Sequence, residues 1–415
     1  MAIYFFQGRE DYLKTHQAET DETKIIEIIK NRISEFFNMK NVHFLFGSGT
    51  SCPAIPNMRD LFQKVNETID KNADFKGIFN SIASKSKNNL EEILGVLYSK
   101  REYLKGSIDD LDKNEEYNQC DKLITSIEKA IFSELNIFSK DKVGKKEIEQ
   151  VLETYKKFYQ KIALRNKDLS RINIFTTNND LFNETALDSL NIHYINGFNG
   201  GLNKYFNPAM FNYTYSKRMD TSIDRFEPVE NMVYLYKIHG SINWTEESSN
   251  NTYFDVKEEY SPTYDEKKSV LIYPTPMKQN KSLGSPYSDL FREFQHKLLE
   301  PNSVLFVIGY SFSDEHVNDI IYRALATNST FNIVIINDID DGKPICKVND
   351  NRVFRIFEKK EEGSEGNNKG ATNPLHFFDR IVDELFPNLD AFKQKDVLTE
   401  FVKQIKINQK DNENR

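Results

Sequence analysis

Four short stretches of this chain gather the residues whose types can do chemistry: "GSGTS" at 47–51, "TTNND" at 176–180, "KIHGS" at 237–241 and "VIGYSFSD" at 307–314. Glycines such as Gly47 and Gly49 let a backbone turn tightly and approach a ligand, while N–H groups and the hydroxyls of Ser48 and Ser51 can hold a diphosphate. His239 closes an apolar run, and an imidazole with an unperturbed pKa of about 6.5 can accept a proton near neutral pH. Taken singly, each stretch also reads as ordinary structure. The first lacks the third glycine of a GxGxxG fingerprint, Cys52 standing in its place, and the GK[ST] ending of a P-loop. Asn178 and Asp180 can cap the helix that follows, His239 can be a packed histidine, and Gly309 with Ser311 can form a plain turn.

Strands must carry these stretches, and the apolar runs lie where they should. "VHFLF" (42–46) is continuous and apolar, as in a strand covered on both faces of a parallel sheet. Further strand patterns are "INIFTT" (172–177), "HYI" (193–195), "VYLYKIH" (233–239), "SVLIYP" (269–274), "SVLFVIG" (303–309) and "FNIVIIND" (331–338). A helix over about 22–37 precedes the first, with "TDET" able to cap it. From about 58 to 168 the periodicity is helical almost throughout. Alternating strands and helices predict an α/β, Rossmann-like, mostly parallel sheet with helices on both faces, plus an inserted helical module, and such sheets bind ligands beyond the carboxyl ends of their strands. The expected organisation is a discontinuous sheet domain (1–59 and 169–357), the helical module (60–168), a polar mobile loop (358–373) and C-terminal helices (374–415). Asp314, Glu315 and His316 read as the start of a helix, where acidic residues are favoured, and Trp244 reads as core or interface.

Composition narrows the class. A length of 415 residues exceeds what one core organises efficiently. A formal net charge of −8, with lysines scattered among acidic residues, argues against direct nucleic-acid binding. Cys52, Cys120 and Cys346 form no CxxC pair, so neither a zinc module nor a disulfide framework is expected and a reducing cytoplasm fits. No run of eighteen apolar residues and no basic leader occurs, so neither a membrane span nor secretion is expected.

Read in order, "GSGTSCPAIPNMR", "TTNND", "KIHGS" and "VIGYSFSD" resemble the sirtuin family, whose motifs are a GAGxS loop followed by GIPxFR, a TQNxD turn, a His-Gly pair and a GTS turn. "VIIND" is similar to the late sirtuin strand whose asparagine contacts the adenosine ribose. Residues 241–345 contain no cysteine, where sirtuin deacylases commonly carry a zinc module of two cysteine pairs. The first loop is one residue shorter, Met58 replaces a phenylalanine beside Arg59, and Thr177 replaces a glutamine. These departures, with the helical module, resemble the sirtuin-like NADases of bacterial antiphage defence, as in Thoeris effectors and the sirtuin-like partners of HerA-type ATPases.

The resemblance implies NAD+ as substrate, with no metal required. It implies Asn178 and His239 as catalytic residues, Asn178 positioning the nicotinamide ribose and a water and His239 serving as general base. Gly47, Ser48, Gly49 and Ser51 would hold the diphosphate, Gly309, Ser311 and Asn337 the adenosine half, and Asp180 the carboxamide. Pro56, Arg59 and Thr177 fall at matching binding positions. It further implies a homo-oligomer and a companion protein encoded nearby, possibly a HerA-type ATPase. The alternatives are a protein deacylase or ADP-ribosyltransferase, and a non-catalytic NAD or ADP-ribose sensor.

Overall fold

The computed structural model of the chain describes residues 2–386 apart from 16–20, 109, 138, 140–141, 164, 166–168, 220–224, 230, 247–255, 265–268, 272–284 and 360–372; residues 387–415 lie outside it. Its centre is a nine-stranded sheet. In chain order the strands that matter are β1 (Ala2–Gln7), β2 (Glu10–Asp11), β3 (Asn41–Phe46), β4 (Ile172–Thr176), β5 (His193–Ile195), β6 (Met232–Lys237), β7 (Gly240–Glu246), β8 (Ser303–Ile308), β9 (Asn332–Ile336) and β10 (Val353–Lys359). The sheet order is β2-β1-β10-β9-β8-β3-β4-β6-β5. Strand β1 runs antiparallel to β10 and to β2, and every other neighbouring pair is parallel.

The alternation within β3 explains why both faces are covered. Val42, Phe44 and Phe46 enter one core, together with Ile29, Ile33, Phe36 and Phe37 of α1 (Glu22–Phe37). Leu45 enters the opposite core, with Leu290, Phe294 and Leu298 of α8 (Tyr287–Leu298) and Val317 and Ile321 of α9 (Glu315–Thr327). With helices on both faces and a mostly parallel sheet, the architecture is the Rossmann-like α/β class expected from the alternation of patterns. Helix α1 starts where "TDET" places it, Asp21 accepting from the backbone N–H of Thr23.

The helical stretch divides. Helices α2 (Met58–Ile69), α3 (Ala73–Lys85), α4 (Leu90–Ser107) and α5 (Glu115–Leu135) share a core of their own, built from Leu61, Val65, Phe79, Leu94, Leu97, Ile124 and their neighbours. Helix α6 (Lys146–Ile162), expected within the module, instead sets Val151, Tyr155, Phe158, Tyr159 and Ile162 into the core of the sheet. It packs beside α7 (Phe182–Ser189), and its aromatic stripe covers Phe44 and Phe46.

Other differences are local. "VYLYKIH" stops as a strand at Lys237. Ser269–Leu271 joins a separate five-stranded sheet, antiparallel to β7, and residues 272–274 lie outside the described residues. Strands β1 and β10 were not anticipated. The polar stretch 358–373 begins inside β10, and 360–372 lies outside the described residues. Of the expected C-terminal helices, only the short turns Phe378–Arg380 and Ile381–Leu385 are described. Trp244 is buried in the second core.

Candidate active site

The chain leaves β3 towards β4 on one side and returns through β8 to β9 on the other, so β3 and β8 are adjacent strands with diverging connections. Such a switch point opens a crevice beyond the carboxyl ends. The loops that leave β3 and β8 meet there. A Cβ on Gly47 would stand 2.5 Å from the Gly309 carbonyl oxygen, one on Gly49 2.7 Å from Gly309 Cα, and one on Gly309 2.7 Å from the Thr50 nitrogen. Gly309 also has φ +66°, which disfavours any side chain. The three glycines thus let two backbones interlock.

Much of the first loop is already hydrogen-bonded within the protein. Gly47 N–H donates to the Ile308 carbonyl (3.0 Å), Gly49 N–H to that of Gly309 (3.0 Å) and Thr50 N–H to that of Gly47 (3.0 Å). Asn178 braces the loop: its Nδ2 donates to the Gly47 carbonyl, Thr50 Oγ1 and Ser51 Oγ, each at 3.0 Å. Ser51 donates to Asp180 Oδ2 at 2.7 Å. Tyr155, reaching in from α6, shares hydrogen bonds with Thr50 (2.8 Å) and Ser51 (3.3 Å).

Beneath this lies a buried charge cluster. Lys237, 1% exposed, pairs with Glu184 Oε1 at 2.9 Å, donates to Ser241 Oγ at 2.8 Å and donates to the Asp180 carbonyl. Burial pushes the carboxyl groups of Asp180 and Glu184 above their ordinary values, with Lys237 pulling the other way. A cation here has the partners a buried charge needs.

A cavity of about 1030 Å³ opens over these loops. Its walls include Ser48, Ser51, Pro56, Arg59, Thr177, Asn178, Asp180, His239, Gly309 and Ser311, ten of the expected site residues. Gly47, Gly49 and Asn337 are not among its lining residues. Asn337 donates to the Tyr310 carbonyl at 3.0 Å and so supports the β8–α9 loop from behind. The opposite wall comes from the helical core: Leu61, Phe62, Leu90, Leu94, Ile131 and Leu135 face the same space. The cavity therefore lies between two separately built cores, polar on the sheet side and mixed on the helical side, where these apolar residues stand beside Arg59, Gln63, Lys87, Asn88 and Asn89.

Two residues of this site carry roles the sequence reading missed. Asn179, beside the braced Asn178, donates to the carbonyls of His239 (2.7 Å) and Gly240 (3.1 Å), fixing the turn that presents the imidazole. Asp314 caps α9 as expected, Oδ1 accepting from the N–H groups of His316 (2.9 Å) and Val317 (3.3 Å). Its other oxygen, Oδ2, lies 3.1 Å from Nε2 of His239. The only available signal was its place at the end of a strand-end motif. Among the described residues, no three His, Cys, Asp or Glu side chains gather as metal ligands would, and no helix is long and apolar enough to cross a membrane.

Residues 172–352 match the family described as a SIR2-like domain. The match covers less than half of the chain and supports a sirtuin-like family for the segment that runs from β4 to the turn before β10. No curated protein matches the chain significantly. SIR2-like domains use NAD, and the matched segment carries Asn178, Asp180, His239, Gly309, Ser311 and Asn337; the loop from Gly47 to Arg59 lies ahead of it.

Proposed function

We propose that the chain is an NAD+ hydrolase that cleaves the nicotinamide–ribose bond to give nicotinamide and ADP-ribose. The observation that carries this reading is the convergence of Asn178, Asp180 and His239 with the Ser48–Ser51 and Gly309–Ser311 loops on one cavity at the switch point of a sirtuin-like sheet. The donor set fits a dinucleotide. Ser48, Thr177, Ser311 and Ser313 supply hydroxyls on the sheet side and Arg59 a cation from the start of α2, and the volume is at the upper end of ordinary ligand pockets.

The dinucleotide itself supplies the difficult part of the chemistry, since nicotinamide leaves as a neutral molecule with the electron pair of the broken bond. The protein's contribution is orientation and proton transfer. Asn178, locked by three hydrogen bonds to the first loop, gives that wall a fixed shape. Asp180, held by Ser51 and by its contact with Lys237, is available for a carboxamide. His239 accepts the proton lost by the attacking water and returns it to solvent. The apolar side chains among the helical residues, Leu61, Phe62, Leu90 and Leu94, give water no hydrogen-bond partner on their part of the wall.

By resemblance to the antiphage NADases, we infer that this activity depletes NAD in an abortive-infection response in the cytoplasm. We also infer control by self-assembly or by a companion protein, possibly a HerA-type ATPase. The decisive assay incubates purified chain with NAD+ and no protein acceptor, and separates products by chromatography. Stoichiometric nicotinamide and ADP-ribose support the hydrolase. Release of nicotinamide only when an acyl-lysine peptide or another acceptor is added overturns it in favour of a deacylase or transferase.

A further inference from the structure

Resting on the hydrolase reading, we propose that Asp314 is the positioning residue for His239, fixing the tautomer and orientation of the imidazole through its Oδ2 while its Oδ1 caps α9. The geometry supports both halves. The two side chains are 13% and 8% exposed, and Nε2 to Oδ2 is 3.1 Å. At 3.1 Å the carboxylate is within ion-pair reach of Nε2 but lacks the alignment of a ring N–H hydrogen bond, so it acts through its charge, favouring the proton on Nε2 and with it the lone pair on Nδ1.

Asp314 is itself held firmly. Oδ1 is engaged by two backbone N–H groups of α9, and the Asp314 carbonyl accepts from the Tyr310 hydroxyl at 3.2 Å. The same hydroxyl lies 3.0 Å from Asn318 Oδ1, its one proton shared between the two acceptors, and Asn318 Nδ2 donates to the Phe312 carbonyl at 3.1 Å. The carboxylate is thus fastened to the β8–α9 loop, the loop whose Gly309 interlocks with Gly47 and Gly49. On the other side, Asn179 holds the His239 and Gly240 carbonyls. The imidazole is fixed by its backbone from β4 and by its ring from α9, with Phe291 of α8 at a ring-centroid distance of 6.4 Å.

The charged and titratable groups that share the cavity with His239 are Asp314, Glu315 and His316 at the start of α9, Asp180 after β4, Arg59 at the start of α2, and Lys87 between α3 and α4. Asp314 reaches the imidazole at ion-pair distance.

The test is Asp314→Asn, because asparagine also caps helices and so retains α9 while removing the carboxylate. Histidine-labelled protein is titrated by NMR, the His239 signal being identified by its loss in His239→Ala. Removing a neighbouring negative charge disfavours the imidazolium, so the His239 midpoint moves to lower pH in Asp314→Asn. In NAD cleavage, kcat falls by roughly 10- to 100-fold with KM little changed, less than the ~10²–10⁴-fold that loss of a general base costs. The acid limb of the rate profile moves down in pH with the midpoint, and Asp314→Glu recovers part of the rate. An unmoved His239 midpoint in Asp314→Asn overturns the pairing whether or not NAD is cleaved. A moved midpoint in a protein whose wild type cleaves no NAD upholds the pairing and overturns the hydrolase reading instead.

Discussion

At the scale of single residues, the site divides into groups that face the cavity and groups that hold them still. His239→Ala and Asn178→Ala are each expected to abolish NAD cleavage, but through different losses. His239→Ala removes a proton acceptor and leaves thermal unfolding unchanged. Asn178→Ala also removes three hydrogen bonds to the first loop, so a modest drop in melting temperature accompanies the lost turnover. Undiminished turnover in either purified, folded variant would sink the assignment. Gly309→Ala is expected to cost about 1–3 kcal/mol in urea unfolding, because a Cβ has no room beside Thr50 and the backbone is at positive φ. His43 gives a pH dependence unrelated to catalysis. Wholly buried in β3, it accepts from Asn173 Nδ2 at 3.1 Å, and burial pulls its pKa down to about 3. The unfolded chain takes up a proton below its ordinary pKa of about 6.5 while the folded one does not, so stability falls as pH drops from 6.5 towards 3, at up to about 1.4 kcal/mol per pH unit. Urea midpoints of wild type and His43→Gln across that window should diverge in that direction. The sheet-side cavity residues were legible in the sequence because they sit at the ends of apolar runs, where strand and loop chemistry change abruptly. Tyr155 and the pairing of Asp314 with His239 were not, since both depend on contacts between elements far apart in the chain.

At the scale of elements, the parallel strands were legible because they are buried on both faces and so read as unbroken apolar runs. Strands β1 and β10 escaped notice: "AIYFFQ" is half-exposed, one strand in from the sheet's edge, and "VFRIFEK" is interrupted by charge. Helix α6 carries the same 3.6-residue period as α2–α5, and periodicity alone cannot tell which core an amphipathic helix serves. Its aromatic composition, Tyr155, Phe158 and Tyr159, matches the phenylalanine-rich sheet face it covers. Helices α2–α5 are the part of the molecule best placed to respond to a partner, since they wall the cavity and have exposed outer faces. Lys122 and Lys129 lie exposed on α5. If the inferred control acts through these helices by gating access to the cavity, isolated protein hydrolyses NAD slowly and assembly or a partner raises the rate. Lys122→Glu and Lys129→Glu should then weaken assembly, measured by sedimentation, more than they weaken NAD binding, measured by calorimetry. A fully active monomer, with both variants unchanged in assembly and turnover, would remove the gating role.

At the scale of the whole molecule, the reading makes one claim about chemistry that is cheap to check. Cleavage of the nicotinamide–ribose bond as proposed needs no Lewis acid, so EDTA should leave turnover unchanged; activity lost to the chelator and restored by zinc would reveal a metal requirement. The cavity has a second consequence at this scale. One wall belongs to the sheet and the other to the four-helix core, two bodies of packed side chains with separate interiors. A molecule seated between them would tie their melting together. In calorimetry the free protein should unfold in two overlapping steps, the helical core first, and saturating ADP-ribose should shift the earlier step upward until one transition remains. Backbone amides of α2 and α4 should slow their exchange with deuterium in parallel, so that the cooperativity of the fold, rather than any single contact, reports whether the cavity is filled.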